Sequence, residues 1–185
     1  ENSPPSEAVK NGRMCTVFRT PAREMRLVQQ FDGPSNSWHP TEFPVKTVED
    51  VHTMTEIFKD VVVELDPAEL KKAQDQSKAI GQDAVTFNGI GESPLMYWVE
   101  WVAGVENAHF LLMDHREEVE ALFEAMHRVL MEKTRVLCEH SPADVFYLVE
   151  NTSTTLISPD QYRQYCARHV GDYAQVTKGS GRNLV

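Results

Sequence analysis

The chain has 185 residues, room for one ordinary domain with a sizeable core, and its 18 Lys+Arg stand against 28 Asp+Glu for a formal charge of −10. That balance, with no basic patch anywhere, argues against a nucleic-acid partner, whose phosphates are held mainly by cations. No apolar run is long enough to cross a bilayer and the first residues carry no signal-peptide pattern, so no membrane partner is expected. Three widely spaced cysteines, Cys15, Cys138 and Cys166, suit a reducing compartment, and cytoplasmic is the expected location.

Residues 1–12 are polar and proline-rich and are expected to be disordered. Met14–Phe18 and Met25–Val28 read as two strands around Arg19-Thr20-Pro21-Ala22-Arg23, an N-terminal β-hairpin. Phe31–Pro44, with Gly33, Pro34, Pro40 and Pro44, reads as loop, and its Trp38-His39 pair either lines a site or anchors the loop. Thr47 with Asp50 three residues on resembles a capping box, and Val48, Val51, Met54, Thr55 and Phe58 then recur at helical spacing. Asp66-Pro67 opens a second helix, which Gly81 closes near Ile80.

Ala84–Phe87 reads as a buried strand, and Asn88-Gly89-Ile90-Gly91-Glu92 as the polar loop at its end. Two glycines there allow either close backbone approach to a ligand or a tight turn. Ser93-Pro94 starts a helix that is apolar nearly all round and therefore buried, with Tyr97 and Glu100 as its polar members. A carboxylate in such a helix must be paired or protonated. Gly104 breaks it, Val105–Met113 forms a short second piece, and Arg116–His140 is the longest helix. His127, Cys138 and His140 on or near that helix lack metal-ligand spacing and read as structural.

The chain is organised around Ala143–Tyr162. Val145–Val149 is a continuous β-branched and aromatic run that suits a strand buried on both faces of a parallel sheet. It ends abruptly in Glu150-Asn151-Thr152-Ser153-Thr154-Thr155, after which Ser158-Pro159 opens a helix from Asp160 to about Thr177. In parallel α/β folds ligands sit at the carboxyl ends of strands, so Glu150–Thr155 is the candidate site loop. The alternative is a solvated loop whose hydroxyls satisfy their own backbone. Asn183-Leu184-Val185 opens a third strand. Strands alternating with helices predict α/β with a parallel sheet and right-handed crossovers over a single domain, 1–185.

Four segments in register, FRTPAREMR, PVKTVEDV, SPLMYWVEWVAG and ADVFYLVENTSTTLISPDQY, resemble the uroporphyrinogen decarboxylase superfamily. That superfamily joins the porphyrinogen decarboxylases to zinc-dependent methyltransferases that use methylated corrinoids. The resemblance implies a partial (β/α)8 TIM barrel, an internal fragment of an enzyme acting on a tetrapyrrole, a carboxy-lyase or a methyltransferase. Its partner would be a tetrapyrrole, a corrinoid small molecule or a corrinoid protein. The match assigns substrate binding to Tyr97 and to Glu150, Asn151 and Thr152, beside the Asn88 and Glu92 of the earlier loop. The decarboxylase aspartate has a weak echo in Phe58-Lys59-Asp60, and no catalytic residue is assigned. Zn2+ would be implied only if a His-x-Cys and a later Cys follow Val185. From a different class, the chain could be a non-catalytic half-barrel that self-associates as a homo-oligomer or pairs with a partner chain through open strand edges.

Overall fold

In the computed structural model, which describes residues 3–185, the chain divides into two compact units. The first comprises the chain up to Asp60 together with Tyr97–Ala125, the second Val61–Met96 together with Met126–Val185.

The first unit begins with a four-stranded antiparallel meander, β1 (Ser3–Lys10), β2 (Arg13–Arg19), β3 (Glu24–Asp32) and β4 (Ser37–Glu42), in that spatial order. The β1–β2 turn is Asn11-Gly12, both at positive φ (53° and 71°), and it pairs Lys10 with Arg13. Asn-Gly is the dipeptide whose left-handed preference matches the twist of a two-residue hairpin. Residues 3–10, read from the sequence as part of a disordered start, are therefore strand. β4 replaces the expected loop. Its Pro40 is tolerated because β4 is an edge strand, and the β3–β4 register shifts between Val28 and Gln29, Pro40's partner. Phe31 and Trp38 face each other across the pair with ring centroids 5.4 Å apart.

α1 (Val48–Asp60) follows, its first turn held by the Asp50 carboxylate, which accepts from the Lys46 and Thr47 backbone N–H groups at 2.9 and 3.0 Å. The rest of the unit is helical. Tyr97, the last residue of α3 (Pro94–Tyr97) and the only one in this unit, leads into a π-helical turn over Trp98–Val102, closed by Ala103 N–H donating to the Trp98 carbonyl, and α4 (Val105–Asp114) comes next. Val51, Met54, Trp98, Val102, Ala108, Leu122 and Phe123 are buried here, with Trp98 edge-on to Phe123.

The second unit carries α2 (Pro67–Ile80), most of α5 (Arg116–His140), and a three-stranded parallel sheet, β5 (Phe87–Gly91), β6 (Val145–Leu148) and β7 (Asn183–Leu184). α2 starts as its sequence dictates, with Asp66 accepting from Ala68 and Glu69 N–H groups and Gly81 closing it at φ 59°. α6 (Pro159–Gln161) continues through a π-helical turn, Tyr162–Cys166, into α7 (Ala167–Gly179). Ser158 and Gln161 form a complete capping box at its start.

β5 sits three residues later than the apolar pattern suggests. Val85 and Phe87 are 60% and 59% exposed, whereas Ile90 is fully buried. The Asp144 carboxylate draws the strand entry into place by accepting from Thr86 N–H and Oγ1, both at 2.8 Å, which holds its pKa below the usual carboxylate range. Asn88–Gly91 is accordingly strand rather than loop. Gly89 opposes Tyr147 on β6, and a Cβ at Gly89 would stand 2.9 Å from that ring.

The parallel pairing of β5, β6 and β7 agrees with the sequence pattern; the partial (β/α)8 barrel does not. A barrel alternates one strand with one helix throughout. Here four strands are joined by tight antiparallel turns, α1 and α2 follow one another with no strand between, and only β5, β6 and β7 are linked by helical crossovers. The expected N-terminal hairpin is the β2–β3 part of a larger meander.

Candidate small-molecule site at the carboxyl ends of two parallel strands

β5 and β6 run parallel and adjacent, so Gly91-Glu92-Ser93 and Val149-Glu150-Asn151 leave the sheet side by side. The last rung between them is Val149 N–H to the Gly91 carbonyl, 2.8 Å. Beyond it the Glu150 carboxylate accepts from Ser93 N–H at 2.6 Å and from Ser93 Oγ at 2.9 Å. The fully buried Ser93 also lies 3.3 Å, through Oγ, from Cys166 Sγ. Burial pushes the Cys166 thiol up to about 12; the Ser93 hydrogen bond opposes that rise and the Glu150 charge adds to it. Glu150 thus stitches two strand ends together, and its chemistry here is that of an anchor.

The rest of the loop divides in two. Ser153, Thr155 and Leu156 satisfy one another, through Ser153 Oγ to Thr155 Oγ1 at 2.7 Å and Leu156 N–H to the Ser153 carbonyl at 2.9 Å. This is the self-satisfied turn chemistry of such sequences. Thr152 and Thr154 instead line a cavity of about 300 Å3 with Ile157, Ser158, Tyr162 and Arg163. Arg163 is exposed and paired with Asp160. The lining therefore combines the hydroxyl-bearing Thr152, Thr154, Ser158 and Tyr162, the apolar Ile157 and Pro159, and a guanidinium, a set that can hold a carboxylate-bearing group.

Of the sequence-assigned residues, Glu150, Asn151 and Thr152 lie on this one loop and Glu92 follows β5 at the same end of the sheet. Asn88 does not join them. It lies toward the start of β5, where its amide donates to Ser141 Oγ at 3.1 Å and borders a different cavity. Tyr97 belongs to the first unit, 36% exposed, its ring edge-on to Phe58 at 6.4 Å. Phe58-Lys59-Asp60 is the last turn of α1, with Lys59 paired to Glu56 at 2.8 Å.

Sequence reading passed over Ser93 and Cys166 as a helix cap and an isolated cysteine. The position of Ser93 directly after a strand end was the available signal; for Cys166 there was none, since its contact spans 73 residues. His127 is buried with Tyr173, Nδ1 to the phenol oxygen at 2.8 Å, and its ring stacks on His169 at 4.2 Å. Among the described residues no group of three or more His, Cys, Asp or Glu converges as a metal site. No helix there is long and apolar enough to cross a membrane. Compared with known proteins, the chain matches no family model, no curated protein and no solved structure.

Proposed function

We propose that the chain is part of an enzyme acting on a tetrapyrrole, by porphyrinogen decarboxylation or corrinoid-linked methyl transfer, with the carboxyl ends of β5 and β6 as its ligand-binding edge. The observation that carries this reading is the Ser93–Glu150 link, which fixes two parallel strand ends beside a loop that lines a cavity. Its second support is the four-segment resemblance in the sequence. At about 300 Å3 the cavity is at the small end for a ligand site, so it suits one carboxylate arm of a tetrapyrrole rather than the macrocycle. Thr152, Thr154 and Arg163 are the residues that would take that arm. Decarboxylation of a pyrrole acetate needs charge stabilisation in a water-poor cavity, and corrinoid chemistry needs the same edge to hold a propionamide or phosphate side group.

Titration of the chain with uroporphyrin and, separately, hydroxocobalamin, followed by absorbance, tests the proposal. Saturable binding of one probe, weakened about tenfold in Arg163→Glu, is the expected result. Absence of saturable binding by both, or binding indifferent to Arg163→Glu and Thr152→Val, would overturn it. The two probes also separate the porphyrinogen and corrinoid branches.

A second reading is association through strand edges. It is favoured by β5 and β7 both being sheet edges, with Phe87 59% exposed on the former. Sedimentation showing monomer at all concentrations would dismiss it.

A further inference from the structure

The second unit holds another cavity, of about 520 Å3, to which the Glu150 loop contributes nothing. Its apolar wall comes from three places: Val62 and Leu65 ahead of α2, Leu70 and Ala73 on α2, and Val136 and Leu137 on α5. Val62 is 73% exposed and Leu65 39%, so this wall is not covered by the protein's own chain. The volume is ordinary for a small-molecule site.

One lysine borders the cavity. Lys133 is half-buried, and among the described residues nothing hydrogen-bonds or ion-pairs with it. The acids on the same lining are not its partners. Asp66 is committed to the Ala68 and Glu69 N–H groups at 2.8 and 3.2 Å, and Glu69 lies 3.4 Å from Lys72. Glu64 is the third. Burial alone moves the Lys133 ammonium below the ordinary lysine range, with no neighbouring charge contributing.

We propose that this cavity takes a neutral carbonyl compound with an apolar body, an aromatic or branched aldehyde or ketone, and that Lys133 Nζ holds it as an imine. Three considerations select that class. Carboxylates at Glu64, Asp66 and Glu69 repel an anion. The aliphatic wall disfavours a strongly polar molecule. An amine in apolar surroundings keeps the lone pair that carbonyl addition requires, the usual device of lysine nucleophiles.

The chemistry balances without oxidant or reductant. The Nζ lone pair forms a bond to the carbonyl carbon, the C=O π pair moves to oxygen, and that oxygen takes the first of the two amine protons to give a neutral carbinolamine. The carbinolamine then expels its hydroxyl as water as nitrogen gives up its proton, leaving C=N. One amine and one carbonyl give one imine and one water. His140 and Ser141, on the same lining, supply a proton shuttle and a hydroxyl; Ser141 already accepts from Asn88 at 3.1 Å.

The test is reductive trapping. The intact chain is incubated with 1-naphthaldehyde and cyanoborohydride near neutral pH, and the modified lysines are mapped by peptide mass spectrometry. Lys133 should react about tenfold faster than Lys71, Lys72 and Lys78 on the exposed α2, because the cavity holds the aldehyde beside its amine. Excess 1-naphthalenemethanol, which fills the cavity without reacting, should bring Lys133 down to their rate on the unaltered protein. Ala73→Trp, with circular dichroism unchanged, should do the same. Labelling spread evenly over the lysines would overturn the proposal. So would a Lys133 rate that neither naphthalenemethanol nor Ala73→Trp lowers.

Discussion

Ser93 gives both its backbone N–H and its hydroxyl to Glu150, at 2.6 and 2.9 Å, and so ties the carboxyl end of β5 to that of β6. A half-buried carboxylate that loses a donor must find another or pay for desolvation, and the hydrogen bonds of charged groups are the stronger kind. Ser93→Ala removes the hydroxyl and keeps the N–H. It should lower stability by about 1–3 kcal/mol in urea unfolding. Glu150→Gln should cost less than Glu150→Ala, because one amide oxygen can still accept. Equal losses in the two Glu150 variants would show that the link needs both carboxylate oxygens and that a single amide acceptor rescues nothing.

Cys166 is fully buried against that link, and its thiol is pushed up to about 12, chiefly by burial. Near pH 8 its thiolate fraction is then about 10⁻⁴, and thiol reagents attack only the thiolate. Iodoacetamide should label the half-buried Cys15 and Cys138 in the folded chain and spare Cys166 until denaturant is added. The stability consequence has a definite sign. An unfolded cysteine titrates at about 8.5, so above that pH the unfolded chain releases a proton that the folded one keeps. The contribution of Cys166 to stability is complete below that pH and is lost as pH rises toward about 12. Cys166→Ser should flatten this alkaline loss in urea titrations run between pH 8 and 10.

Local chemistry was the legible part of the fold. Asp66-Pro67 and Ser158-Pro159 start helices because a capping oxygen and a pre-set φ act within four residues, and both elements begin where the sequence says. The Asn11-Gly12 turn carried an equally local signal, masked by the prolines and polar residues before it. Pro40 hid β4 because an edge strand tolerates what a central one does not. The entry of β5 depends on Asp144, 58 residues from Thr86, and no window on the sequence contains both.

The site was legible in the same uneven way. The strand-end position of Glu150 could be read; its pairing with Ser93, 57 residues away, could not. Lys133 is one charge among many on a long amphipathic helix; only the packing of α2 and the segment before it makes it the lysine of an apolar cavity. The barrel that the resemblance implies is absent because α1 and α2 follow one another with no strand between, and the expected hairpin is part of a four-stranded antiparallel meander.

Asp50 joins two tasks in the first unit. It accepts from the Lys46 and Thr47 N–H groups at 2.9 and 3.0 Å, and it pairs with Arg23 at 2.6 Å. The capping bonds satisfy backbone donors at the helix start from a buried carboxylate, whereas the Arg23 side chain is 38% exposed and its pairing is screened by solvent. Asp50→Ala should therefore cost about 2–3 kcal/mol, mostly from the cap, and Arg23→Ala no more than about 1 kcal/mol. A double-mutant cycle with a coupling near the full Asp50 loss would reverse that ranking and make the ion pair dominant.

Gly104 sets the break between the π-helical turn and α4, at φ 75° and ψ 157°, a backbone region that is essentially glycine's alone. A Cβ there would also stand 2.6 and 2.7 Å from two ring carbons of Phe43. Two costs are thus superposed, one in the backbone and one in packing. Gly104→Ala should destabilise by about 2–4 kcal/mol, of which about 1–3 is backbone strain that no neighbour can relieve. Combining it with Phe43→Leu separates the two. The shorter side chain removes the ring clash, so the double variant should lose less than the sum of the two single losses. Additive losses would mean that the ring already swings clear, leaving the backbone conformation alone to account for the glycine.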